Sequence, residues 1–195
     1  MAPRQRPRPK PEGSAGFGSD AVPRRSIETT SEDAAKEAAL RFLERGPRTE
    51  REIVDRLLAR GFVPDAVERA VERLRRVSLL DDRAFVRSFL RTELPRRPQG
   101  RRLLAAKLKR RGIPAPILED VDALVHEDVD LVERGLDTEE GRARAALAGL
   151  ARRHRLRDGA DRERRIAGAL IRLGFDWSIV RDLVRHGDSE EREHH

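Results

Sequence analysis

The chain has 195 residues, with 42 Lys and Arg against 35 Asp and Glu, a net charge of +7, and no cysteine. Structural disulfides, thiolate metal sites and cysteine nucleophiles are therefore excluded. No run approaches the ~18 apolar residues of a membrane span. The leading residues lack the apolar stretch of a secretory signal, so the expectation is a soluble, cytoplasmic protein.

Residues 1–26 hold six bases and two acids among Pro and Gly, without apolar periodicity. Such a segment buries too little apolar surface to offset its ordering entropy, so residues 1–30 read as a disordered basic arm. From residue 31 onward, apolar residues recur at helical spacing. Ala35, Ala38, Ala39, Phe42 and Leu43 form one stripe, which ends at Gly46-Pro47. Thr49 and Glu52 stand at capping-box spacing before Ile53, Val54, Leu57 and Leu58, and Gly61 stops that helix. Pro64 and Asp65 open a third helix carrying Ala66, Val67, Ala70, Val71 and Leu74.

The same order returns after Asp81-Asp82, which start a helix with Phe85, Val86, Phe89 and Leu90 inward. Leu103, Leu104 and Leu108 follow, then Gly112, then a helix over 115–125. Beyond an acidic stretch, Thr138 caps a helix with Ala143, Ala146, Leu147 and Leu150, and Ile166 and Leu170 lead to Gly174. Asp176 caps a last helix with Ile179, Val180, Leu183 and Val184. No segment alternates with period two, so the fold class is all-α.

Superimposing Gly61, Gly112 and Gly174 exposes a repeat. Eight residues before them stand Ile53, Leu104 and Ile166, and four before stand Leu57, Leu108 and Leu170. One residue after stand Phe62, Ile113 and Phe175. A glycine there suits a helix C′ position with positive φ, and the apolar residue after it folds back on the finished helix. The reading is three tandem three-helix repeats, at 31–80, 81–136 with an acidic linker, and 137–187, followed by a disordered tail at 188–195. Each repeat alone is too small for a comfortable core. An elongated, curved array stabilised by contacts between neighbours is expected.

Charge comes in blocks. Residues 83–111 hold eleven bases and one acid, 119–140 ten acids and one base, and 142–172 ten bases and three acids. Long single-sign blocks point to an anionic partner, or to one block neutralising another. No phosphate-binding glycine loop stands between a strand and a helix, and no metal-ligand spacing occurs among the five histidines. The expectation is a non-enzymatic protein with no cofactor and no metal. The third helices are too acidic to read bases in a major groove. Phe42, Phe62, Phe85, Phe89, Phe175 and Trp177 all fit inward positions, which disfavours stacking on unpaired bases.

The junction Leu79-Leu80-Asp81-Asp82-Arg83-Ala84-Phe85, with Gly100-Arg101-Arg102-Leu103-Leu104 and Leu108-Lys109-Arg110-Arg111-Gly112-Ile113, resembles the signature of the RecX family of bacterial recombinase regulators. Arg48-Thr49-Glu50-Arg51-Glu52-Ile53 and Arg60-Gly61-Phe62 are similar to the opening of that family's first unit. The resemblance covers about residues 33–186. It implies a protein that binds the RecA filament on single-stranded DNA and inhibits its ATP hydrolysis and strand exchange in recombination, repair and the SOS response. The expected contact face comprises Arg83, Arg87, Arg91, Arg96 and Arg97, then Arg101, Arg102, Lys107 and Arg110, with Arg152, Arg153 and Arg155 second. A monomer is expected. The alternative is a general helical-repeat protein that binds single- or double-stranded DNA non-specifically, without RecA.

Overall fold

The computed structural model describes residues 29–153 and 160–192, apart from the side chains of 152, 153, 160–162 and 186–192. Most of the expected arm, the Arg155 position and the end of the expected tail lie outside the described residues. All regular structure among the described residues is helical, and none of these helices is long and apolar enough to cross a membrane.

The first repeat consists of α1 (Glu32–Leu43), α2 (Glu50–Ala59) and α3 (Pro64–Arg76). Ser31 caps α1 by accepting from the Ala34 N–H, and Thr49 and Glu52 close the expected capping box on α2. Pro64 opens α3, where a missing N–H costs nothing. The core is Ala38, Ala39 and Phe42 from α1, Ile53 and Leu57 from α2, and Val67, Val71 and Leu74 from α3, closed by Leu80.

The second repeat begins with α4 (Asp82–Glu93) and α5 (Arg101–Arg110). Its third helix, expected to run unbroken over 115–125, is instead two pieces, α6 (Ala115–Glu119) and α7 (Val121–His126). The break falls at Asp120, whose ψ of 0° leaves the helical region. That bend leaves Ile117 and Leu118 half-buried and sends Val121, Leu124 and Val125 fully inside. The acidic stretch also departs from a plain linker. It forms α8 (Val129–Glu133), capped by Asp128, and delivers Leu131 and Leu136 to the core of this repeat.

The third repeat is α9 (Glu139–Arg153), α10 (Ala160–Arg172) and α11 (Trp177–Arg192), around Ala143, Ala146, Leu170, Phe175 and Val180. The second helix of every repeat ends in the same way. Gly61, Gly112 and Gly174 have φ of 89°, 83° and 84°. The N–H groups of Phe62, Ile113 and Phe175 then donate to the carbonyls of Leu57, Leu108 and Leu170 at 3.2, 3.1 and 3.3 Å. This is the expected C-terminal motif, and it repeats three times.

Candidate interaction surface

The start of an α-helix leaves main-chain N–H groups without partners, and its end leaves carbonyls without partners. The repeats dock by satisfying one set with the other. Gly100, at the N-cap of α5, has no side chain with which to cap that helix. Instead Gly100 donates its N–H to the Leu173 carbonyl (2.9 Å) and Arg102 donates to the Gly174 carbonyl (3.3 Å), both at the end of α10. Thr49, which holds the position of Gly100 in the first repeat, donates its hydroxyl to the Arg111 carbonyl at the end of α5 (2.6 Å). The negative end of each second helix thus meets the positive end of the one before it in sequence.

A second contact also repeats. The Glu50 N–H, at the first position of α2, donates to the Asp82 carboxylate at 2.9 Å. The Arg101 N–H, at the first position of α5, donates to Glu139 at 3.2 Å. Asp82 and Glu139 are the first residues of the first helices of the following repeats, so each repeat caps its predecessor. Asp81 beside it caps its own helix by accepting from Arg83 and Ala84. The paired aspartates therefore divide the work between two repeats. Burial pushes the Asp82 carboxyl above its ordinary range, and the charges of Glu50 and Asp81 add to this.

Arg111 completes the first junction. Its guanidinium donates to both Glu52 oxygens at 2.7 and 3.1 Å and lies 4.6 Å from the Phe85 ring centre. Burial acts to raise the Glu52 carboxyl. The Arg111 and Thr49 hydrogen bonds and the charges of Arg111 and Arg48 outweigh it and hold the group below its ordinary value. The second junction is held by Arg142, whose side chain is fully buried. It donates to the Leu136 and Asp137 carbonyls at 3.2 and 3.1 Å and pairs with Asp122 at 3.3 Å. Neither arginine stood out in the sequence, because their partners lie far away in the chain or on main-chain carbonyls.

The structure divides the expected contact residues. Arg83, Arg87 and Arg91 lie four apart on α4 and face the acidic block: Asp120 at 2.8 Å, Glu127 at 4.0 Å, and Asp128 with Asp130 at 2.9 and 3.6 Å. Arg91 is the most committed of the three, because Asp128 is itself buried and caps α8. Arg101 pairs with Asp122 and Arg102 with Asp176, both at 3.3 Å. Lys107 bridges back to Glu93 within its own repeat, and that hydrogen bond holds the Glu93 carboxyl below its ordinary value. Arg96, Arg97 and Arg110 make no ion pair among the described residues, and neither does Lys109. The side chains of Arg152 and Arg153, like Arg155, lie outside the described residues.

The expectation that every aromatic faces inward fails at Trp177, which is 57% exposed at the start of α11. It is the first residue of α11, and the core position beside it is taken by Phe175, two residues earlier. Among the described residues no group of three or more His, Asp or Glu side chains is placed to hold a metal ion.

Helical units that cap one another, each around its own apolar core among the described residues, make this a tandem helical-repeat protein. Residues 35–74 match the family description "RecX, first three-helix domain" and residues 81–121 match "RecX, second three-helix domain". The chain is 32% identical over 183 residues to "Regulatory protein RecX" of Mycobacterium sp. (strain KMS), covering 90% of this chain and 93% of that protein. It is 31% identical to the protein of that name from Streptomyces lividans, covering 83% of this chain and 81% of that one. A relative of the same name from Geobacillus thermodenitrificans is longer: the match, at 30% identity, takes in 82% of this chain but 57% of that protein. The chain belongs to the RecX family of regulatory proteins. Its fold is that of the "Crystal structure of RecX from Lactobacillus salivarius", with a TM-score of 0.66 at 20% identity over 84% of this chain and 98% of that one.

Proposed function

We propose that this protein regulates the RecA recombinase without enzymatic activity of its own, binding the RecA filament on single-stranded DNA and restraining its ATP hydrolysis and strand exchange. Family membership supports the reading, and one structural observation carries it: the reciprocal capping of successive second helices. That capping fixes three units in a set order, so the outward-facing cations of the second repeat are held in fixed positions relative to both neighbours. A repetitive fibre presents binding sites at constant spacing, and a pre-organised array meets several of them at a small further cost in entropy.

The cations fall into two groups. Arg96, Arg97, Lys109 and Arg110, which make no ion pair among the described residues, supply the first contacts. Arg83, Arg87, Arg101 and Arg102 sit in exposed pairs of the kind worth ~0–1 kcal/mol, which a denser anionic surface can displace. The chain's basic balance, +7 overall, also speeds encounter with a nucleoprotein fibre. The test is co-sedimentation with RecA assembled on single-stranded DNA, beside RecA alone and DNA alone. Recovery with the filament in excess of recovery with either component supports the reading. Equal recovery with DNA alone supports a general DNA-binding protein instead.

A further inference from the structure

We propose that Trp177, with Arg102 paired to its neighbour Asp176 and Arg181 one helical turn on, is a stacking platform for an unpaired nucleobase, so that the seam between the second and third repeats binds single-stranded nucleic acid directly. The proposal does not depend on the recombinase reading.

Comparison of the three repeats sets Trp177 apart. Its position, three residues after the turn glycine, is held by Pro64 in the first repeat and Ala115 in the second. The helix start therefore needs no large side chain there. The apolar contact that closes the turn is made by Phe175, which is fully buried. Phe42, Phe85 and Phe175 are buried and Phe62 and Phe89 are half-buried, whereas Trp177 presents more than half of its surface. An indole left in water in this way resembles the large rigid anchors that dominate binding energy at interfaces.

Its surroundings indicate the ligand. Asp176 accepts from the Ser178 N–H at 2.9 Å and pairs with Arg102 of the preceding repeat at 3.3 Å, which holds that guanidinium beside the start of α11. Arg181 lies one turn further along α11, on the face that carries Trp177. Both arginines are exposed, and their carboxylate partners, Asp176 and Asp182, are exposed as well. Such pairs exchange readily for phosphate. An exposed indole with one guanidinium paired to the neighbouring Asp176 and another one helical turn on matches a base and its neighbouring phosphates, the combination by which single strands are held without sequence preference. In a duplex the base faces are already occupied by their neighbours, so the site selects unpaired strands.

Trp177 is the sole tryptophan and the chain has no tyrosine, so intrinsic emission reads this site alone. The full chain is titrated with oligothymidylate, with a duplex of equal length, and with RecA free of DNA. Binding of labelled oligothymidylate by W177A, W177F and R102A is followed by anisotropy, and melting confirms that each variant is folded. The expected result is quenching by oligothymidylate. W177A should bind it about tenfold more weakly, given the worth of one stacked base, with W177F retaining most affinity and R102A falling between. Unchanged emission with undiminished W177A binding would overturn the proposal. So would an emission change elicited by DNA-free RecA and absent with oligothymidylate, which would make Trp177 a protein contact.

Discussion

The Asp82 carboxylate accepts the main-chain N–H of Glu50, 2.9 Å away, and so caps a helix that belongs to the preceding repeat. Removing the acceptor in Asp82→Ala leaves that N–H without its partner, at a cost of about 1 kcal/mol. Asp82→Asn keeps an accepting oxygen and removes the charge that burial disfavours. Urea unfolding at neutral pH should therefore rank wild type and Asp82→Asn close together and Asp82→Ala below both. The sign with pH follows from the raised carboxyl. The folded chain holds the Asp82 proton more tightly than the unfolded chain does, so the Asp82 contribution grows as pH falls toward its ordinary value of 3.8. Against Asp82→Asn, the wild type should accordingly gain on acidification.

Glu52 behaves in the opposite sense. Its folded-state carboxyl is held below its ordinary value of 4.5, so the stability it contributes is present above that pH and is lost as the pH falls through the folded value. Glu52→Gln, which cannot pair ionically with Arg111, should be less stable than wild type by about 1 kcal/mol at neutral pH. Denaturation at a series of pH values should find the gap closing below pH 4.5. A gap independent of pH would mean that the ion pair contributes nothing.

The three turn glycines share one backbone conformation but not one environment. Alanine at any of them meets the positive-φ penalty of roughly 1 kcal/mol. At Gly61 the nearest atom to an added Cβ is the Thr29 methyl at 3.9 Å, so little more is lost. At Gly112 that Cβ would overlap the Arg51 side chain, and at Gly174 the main chain of Leu103. The Arg51 atoms are its Cβ and Cγ, which the main chain holds nearly as firmly as its own atoms, so these two sites differ less from each other than from Gly61. The order of destabilisation should be Gly174→Ala, then Gly112→Ala, then Gly61→Ala, read from thermal or urea midpoints.

The contact residues should separate by their internal partners. Arg91→Ala frees the buried Asp128 carboxylate and should lower the unfolding midpoint measurably. Arg110→Ala breaks no ion pair and should leave the midpoint unchanged while weakening filament binding. Co-sedimentation and urea unfolding of the two variants in parallel check this.

Local features were legible in the sequence because each is written within one helical turn or at its ends. The Thr49–Glu52 box, the aspartate cap at 81 and the glycine turns all belong to this class, and from them came the all-α array. The junction chemistry was not legible. Glu50 and Asp82 are 32 residues apart, and Thr49 and Arg111 are 62 apart, so no spacing rule connects them. The charge blocks showed that basic and acidic segments exist. They did not show that α4 turns its arginines toward α7 and α8, while Arg96, Arg97, Lys109 and Arg110 make no ion pair among the described residues. Trp177 was misplaced because periodicity says nothing about a residue at the very first position of a helix, where the chain has not yet turned its side chains onto the core.

The most direct measurement of the central claim is RecA's DNA-dependent ATP hydrolysis with increasing amounts of this protein, wild type beside a variant with Arg96, Arg97, Lys109 and Arg110 all replaced by alanine. Hydrolysis should fall with the wild type and respond far less to the folded variant. Hydrolysis that stays unchanged at several-fold molar excess of wild type, or falls equally with both proteins, would contradict it.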